Sequence, residues 1–111
     1  MTGLERDLVA DCRRSAEAMN AFLAVVQQHV AKKSGTTRGF PDLVLICAGK
    51  VVLIEVKRPK TAEHPRGVLS LGQSAFIARA LEMGVQVEVI ETVREFEALV
   101  NGCRRRVRAA S

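Results

Sequence analysis

Gly39-Phe40-Pro41-Asp42-Leu43-Val44-Leu45-Ile46-Cys47, then Ala48-Gly49-Lys50, then Val51-Val52-Leu53-Ile54-Glu55-Val56-Lys57 is the stretch that decides the fold. It reads as Pro-Asp, an apolar strand, a turn, a second apolar strand and Glu-x-Lys. Gly, Asn and similar residues between two apolar runs mark a hairpin. A two-residue turn at Ala48-Gly49 pairs Cys47 with Lys50 and so sets Asp42 opposite Glu55. A turn shifted to Gly49-Lys50 sets Asp42 opposite Lys57. Side chains alternate along a strand, so either register puts Asp42, Glu55 and Lys57 on one face, with Val44, Ile46, Val51 and Leu53. Leu43, Leu45, Cys47, Val52, Ile54 and Val56 make the other. Both faces are apolar, which predicts a central hairpin covered on both sides.

Three charges at one end of such a hairpin are costly unless paired. The plain reading is an ion pair of Lys57 with a carboxylate. The sharper one is a site for a hard cation, Mg²⁺ or Mn²⁺, held by Asp42, Glu55 and the Val56 carbonyl. Lys57 would then orient or deprotonate an attacking water, or stabilise charge on a phosphate. That chemistry is metal-dependent phosphodiester cleavage.

The match of Thr36-Thr37-Arg38-Gly39-Phe40-Pro41-Asp42-Leu43-Val44 with Ile54-Glu55-Val56-Lys57-Arg58-Pro59 resembles the VRR-NUC family of the PD-(D/E)XK nuclease superfamily. Leu69-Ser70-Leu71-Gly72-Gln73-Ser74-Ala75-Phe76-Ile77 is similar to that family's glutamine-bearing helix. The resemblance covers roughly residues 34 to 92, and its stand-alone form is like phage and prophage members. It implies active-site positions at Asp42, Glu55, Lys57 and Gln73, joined by a Glu of the first helix, Glu5, which is also a candidate for the metal. It further implies a homodimer that cuts branched DNA such as Holliday junctions. The fold it implies is an α/β, restriction-endonuclease-like core, a mixed central sheet flanked by helices.

The rest of the chain agrees with one domain over 1–111 that carries a basic tail at 104–111. Its 111 residues suffice for a modest core, which must be aliphatic, since the aromatics are four Phe with no Trp or Tyr. Scarce aromatics argue against single-strand binding by base stacking. No run approaches a membrane span, and no signal peptide opens the chain. Cys12, Cys47 and Cys103 lack metal-ligand spacing and read as reduced thiols, with Cys47 in the core. These features predict a cytoplasmic protein, and the resemblance to phage and prophage members implies that the cell is a bacterium or a phage-infected host. The net charge is +5. Arg104, Arg105, Arg106 and Arg108 supply four of those charges, and the preceding residues are nearly balanced, 13 basic against 12 acidic. The tail reads equally as a phosphate contact or as a solvated helix end. No Gly-x-Gly phosphate loop is present, which argues against nucleoside triphosphates.

Thr2-Gly3-Leu4-Glu5 has the form of a capping box, an alternative role for Glu5. Cys12, Ala16, Met19, Leu23, Val26 and Val30 step by four and three, which predicts one long helix, or two nearly continuous ones, from about residue 3 to 30. Residues 31–40 are basic, small and flexible, with room for a short edge strand. Lys32, Lys33, Thr36, Thr37 and Arg38 there could contact phosphate, as could Arg58, Lys60 and Arg66 in the Pro-bearing loop after Lys57. His64 is the acid-base candidate of that loop. Ser70-Leu71-Gly72-Gln73 caps a helix ending near Met83 and Gly84, so Gln73 has a capping role open to it as well. Val85–Ile90 reads as a more exposed strand, parallel to its neighbour through a crossover helix. A final helix capped by Thr92 runs through Leu99 and Val100. Two other functions fit the pattern less well: a non-catalytic nucleic-acid-binding subunit, which has no need of the Asp-Glu-Lys set, and a sequence-reading restriction-type nuclease, for which the chain offers little room.

Overall fold

The computed structural model describes residues 3–26, 39–58 and 68–110, with side chains through residue 105. Its elements are α1 (Gly3–Met19), β1 (Phe22–Val25), β2 (Leu43–Cys47), β3 (Lys50–Val56), α2 (Leu71–Glu82), β4 (Gln86–Ile90) and α3 (Val93–Ala110). The strands form one sheet in the order β1-β2-β3-β4. The first two pairings are antiparallel and β3–β4 is parallel, with α2 as the crossover that a parallel pair requires.

The hairpin adopts the first of the two registers. Cys47 pairs with Lys50 and Leu43 with Ile54, so Asp42 stands opposite Glu55. Ala48 (φ 57°) and Gly49 (φ 76°) both have positive φ, the signature of the two-residue turn whose twist matches the strands. Leu43, Leu45, Val52, Ile54 and Val56 are all buried, against Leu8, Val9, Cys12 and Ala16 of α1 and Phe96, Val100 and Cys103 of α3. The opposite face is not covered as the sequence suggested. Leu53 is buried, but Ile46 is 40% exposed and Val51 48% exposed. One hairpin face makes the core, and the other is closed only at the end that carries the charges.

The long first helix is also corrected. α1 stops at Met19, and Leu23 lies in β1 rather than on a helical seam. Asn20 takes the left-handed conformation (φ 54°), Asn20 N–H bonds to the Glu17 carbonyl at 3.2 Å and Ala21 N–H to the Ala16 carbonyl at 2.8 Å. That is a Schellman stop with Asn in the place where Gly is usual. α2 ends in the same motif, with Gly84 at φ 80°, Gly84 N–H on the Leu81 carbonyl and Val85 N–H on the Ala80 carbonyl. The first edge strand is therefore β1 at 22–25. The edge strand expected within 31–40 and the Thr2 cap fall almost wholly outside the described residues.

α3 begins at its Thr92 cap, whose Oγ1 accepts the Glu95 N–H at 3.2 Å, and continues well past Val100 to Ala110. Ser15 Oγ donates to Glu97 Oε2 at 2.6 Å and ties α1 to α3. Arg104 donates to the Met19 carbonyl, capping the end of α1. The three cysteines are free thiols. Cys47 is half-buried at the margin of the core, where burial and a hydrogen bond with Cys103 push its pKa up. Burial, with Asp11 and Glu97 nearby, raises Cys12 to about 12. Neither Cys12 nor Cys47 is a thiolate poised to react. Among the described residues, no helix is long and apolar enough to cross a membrane.

Candidate active site

Asp42, Glu55 and Lys57 sit on the last rungs of the sheet, where the ladder fixes their backbones. Val26 N–H bonds to the Asp42 carbonyl at 2.8 Å, and Lys57 N–H to the Ile90 carbonyl at 2.9 Å. Val56 N–H donates to Asp42 Oδ2 at 2.9 Å, so the Asp42 carboxylate is held across the hairpin by the strand that carries Glu55. All three side chains are nearly buried: Asp42 is 5% exposed, Glu55 2% and Lys57 9%.

Glu55 Oε1 is the meeting point. Gln73 Nε2 donates to it at 2.8 Å, and Lys57 Nζ stands 3.8 Å away. Gln73 closes the α2 capping box at the same time: its Oε1 accepts the Ser70 N–H at 2.8 Å, and its own N–H donates to Ser70 Oγ at 3.1 Å. Gln73 thus caps α2 and reaches Glu55 at the same time.

Glu5 arrives from α1. It extends the buried stripe of Leu8, Val9, Cys12 and Ala16 by one turn, which accounts for a carboxylate only 6% exposed. Its Oε2 faces the Arg58 N–H at 3.4 Å and the Arg58 guanidinium at 3.9 Å. Glu5, Asp42, Glu55, Lys57 and Gln73 line one recess of about 190 Å³, together with Gly39, Phe40 and Ser70. A larger, mostly apolar recess of about 510 Å³ lies beside it, between Phe40 and the exposed hairpin face at Val51. Among the described residues Lys50 is its one charged lining residue, with no carboxylate beside it in the lining.

Electrostatics in the small recess are dominated by burial. It pushes the Glu55 carboxyl up to about 9, with the neighbouring charge and hydrogen bond of Asp42 adding to the rise and Lys57 opposing it. Asp42 is raised too, by burial first, against the lowering effects of the Val56 N–H, the Glu55 hydrogen bond and Lys57. Burial and the neighbouring Asp42 charge disfavour the ionised form of Glu55, and the Lys57 ammonium at 3.8 Å offsets them only in part. The Lys57 ion pair alone is therefore an incomplete account of the site.

Of the other residues singled out in the sequence, Arg58 is placed beside Glu5. Lys32, Lys33, Thr36, Thr37, Arg38, Lys60, His64 and Arg66 lie outside the described residues. Two contributors carried no chemical signal in the sequence. Phe40 stacks edge to face on Phe76, and Gly39 (φ 79°) lies so close to α2 that a Cβ there would be 2.3 Å from the Gly72 carbonyl oxygen. Gly39 could have been suspected from the turn before Pro41.

The VRR-NUC domain model matches this chain over residues 3–94, which include every element from α1 through β4 and the start of α3. The chain belongs to the VRR-NUC domain family. Two solved structures are similar to it. One, titled "VRR_NUC domain protein", is 13% identical with a TM-score of 0.68, over 91% of this chain and 88% of the other. A second, titled "VRR_NUC domain", is 20% identical with a TM-score of 0.61, over 90% of this chain and 97% of the other. At such identities the likeness concerns the fold, which is the restriction-endonuclease-like one. No curated protein matches the chain. Membership of the VRR-NUC family implies a nuclease-type function with DNA as its substrate.

Proposed function

We propose that this VRR-NUC domain is a Mg²⁺- or Mn²⁺-dependent endonuclease that hydrolyses phosphodiester bonds in branched DNA, working as a homodimer in the cytoplasm. The observation that carries the reading is the convergence of Asp42, Glu55, Lys57 and Gln73 in one recess, where burial raises the pKa of both carboxyls.

A divalent cation suits that donor set. Among the described residues no three His, Cys, Asp or Glu side chains gather as a closed metal cage. Mg²⁺ is typically held in nucleotide-processing sites by one or two carboxylates, waters and substrate phosphate rather than by such a cage. Asp42 and Glu55 would be the carboxylates. In extended backbone the N–H and C=O of a residue lie on the same side, so the Val56 carbonyl, whose N–H faces Asp42, would be the third donor. Glu5 lines the same recess and, on the family resemblance, would be a further one. When bound, the cation supplies charge neutralisation at the phosphate and a more acidic water.

The side chains account for the remaining work. Gln73 holds Glu55 in one orientation through Oε1. Lys57, fixed by its backbone bond to Ile90, presents an ammonium beside the scissile phosphate, where it orients the attacking water or stabilises the developing negative charge. Arg58 lies next to Glu5 and is the described candidate for a phosphate contact, with Lys32, Lys33, Thr36, Thr37, Arg38, Lys60 and Arg66 as further ones in the flanking segments. The preference for branched DNA and the homodimer rest on the family resemblance.

The test is a matched panel of linear duplex, flap and four-way-junction DNA, incubated with Mg²⁺ or Mn²⁺ or with chelator. Metal-dependent cutting that favours the junction, by a protein that sediments as a dimer, is the expected result. Retained binding without cutting of any substrate would move the assignment to a non-catalytic DNA-binding subunit. Cutting of linear duplex at one short sequence would move it to a restriction-type enzyme.

A further inference from the structure

Gln73 makes two hydrogen bonds whose polarity fixes its amide. The Ser70 N–H can only donate, so the atom that meets it at 2.8 Å is Oε1, and Nε2 is left for Glu55 at 2.8 Å. Turned over, the amide would set donor against donor at Ser70. The capping box therefore locks Gln73 as a donor toward the carboxylate pair.

The place of that donor depends on where α2 stands, and α2 is lightly held. Ala80 is its one buried residue, and among the described residues its main packing is against β4. Its first turns rest instead on the loop that leads into Asp42. Gly39 lies flat against the Gly72 carbonyl, and no side chain would fit between them. One residue further, the Phe40 ring meets Phe76 with centroids 5.2 Å apart at an angle of 61°, the edge-to-face arrangement that aromatic pairs favour. Phe76 is three residues after Gln73, so the two lie on the same side of the helix. Both Phe rings are half-buried and neither belongs to the sheet–helix core.

Building on the nuclease reading of this recess, we propose that Phe40 and Phe76 are positioning residues: their ring contact seats α2 so that Gln73 reaches Glu55. The loop that bears Asp42 and the helix that bears Gln73 are thereby set as one unit, and loss of the contact withdraws the amide from the carboxylate pair.

A double-mutant cycle on single-turnover cleavage of a four-way junction in Mn²⁺ separates this from a general packing role. Gln73→Ala and Phe76→Ala should each slow cleavage about 10- to 100-fold, the usual loss when a partner that orients an active-site ligand is removed. The double variant should be no slower than the slower single one, because both remove the same interaction. Effects that multiply, or wild-type cleavage by Phe76→Ala, would overturn the proposal. Phe76→Leu, which keeps bulk at a half-buried site, serves if the alanine variant folds poorly, and the same criteria apply. A readout free of activity is the ¹H–¹⁵N signal of the Gln73 side-chain amide in metal-free protein, assigned by its disappearance in Gln73→Ala. It should be protected from exchange in the wild type and lose that protection in Phe76→Ala; unchanged protection contradicts the proposal. A wild-type protein that cuts nothing would count against the nuclease reading, while the amide signal would still decide the positioning.

Discussion

At Glu55 a carboxyl with an ordinary pKa of 4.5 is lifted to about 9, and burial is the first cause, ahead of Asp42. The sign of the linkage follows. A carboxyl whose folded pKa lies above its unfolded one favours the fold at low pH, and that contribution is lost as pH rises from 4.5 through about 9. Metal-free wild-type protein should therefore lose stability to urea across this window. Glu55→Gln, which keeps the Gln73 contact and removes the charge, should flatten the loss. Equal pH profiles for the two proteins in chelator would contradict the assignment. The face shared by Asp42, Glu55 and Lys57 was legible from strand parity alone, because a two-residue period leaves little choice. The partners of these residues were less so. Gln73 lies 18 residues from Glu55 in sequence, and its capping role was visible while its second hydrogen bond depends on the tertiary seat of α2.

Among the elements, the β2–β3 turn and the end of α1 make an instructive pair. Both use a non-glycine residue at positive φ, Ala48 and Asn20. Ala48-Gly49 betrayed its turn because two apolar strands flanked it. Asn20 did not, because the four- and three-residue steps of Met19, Leu23 and Val26 imitate a helix seam across the break. The β-prone run Phe22–Val26 right after an αL-tolerant Asn was the available signal. An alanine in the left-handed region costs about 1–2 kcal/mol that Asn largely avoids. Ala48→Asn, at an exposed turn, should accordingly stabilise the protein by on the order of 0.5–1 kcal/mol in thermal or urea unfolding, with the site untouched. A destabilised variant would mean that the turn is not of this type.

For the whole molecule, the core lies on one side of the sheet and the charged recess at the strand ends on the other, with Glu5 reaching it from α1. The side facing α1 and α3 holds the fully buried Phe96, Leu43, Leu45, Ile54 and Ile90. Phe96→Ala should cost about 3–5 kcal/mol, much of what a domain of this size has to spare, and should be read in urea unfolding. The opposite side carries the charged recess and leaves Ile46 and Val51 open, which the all-apolar hairpin sequence did not reveal, since an apolar strand reads the same whether its second face is packed or bare. The account stands on metal-dependent chemistry by the buried Asp-Glu-Lys set. Its most direct test is the single-turnover rate at which Lys57→Ala cleaves a four-way junction in saturating Mn²⁺, with binding and melting temperature matched to wild type. A fall of at least about 10²- to 10³-fold is predicted, as for loss of a group that stabilises transition-state charge. Cleavage by Lys57→Ala at the wild-type rate would contradict the account.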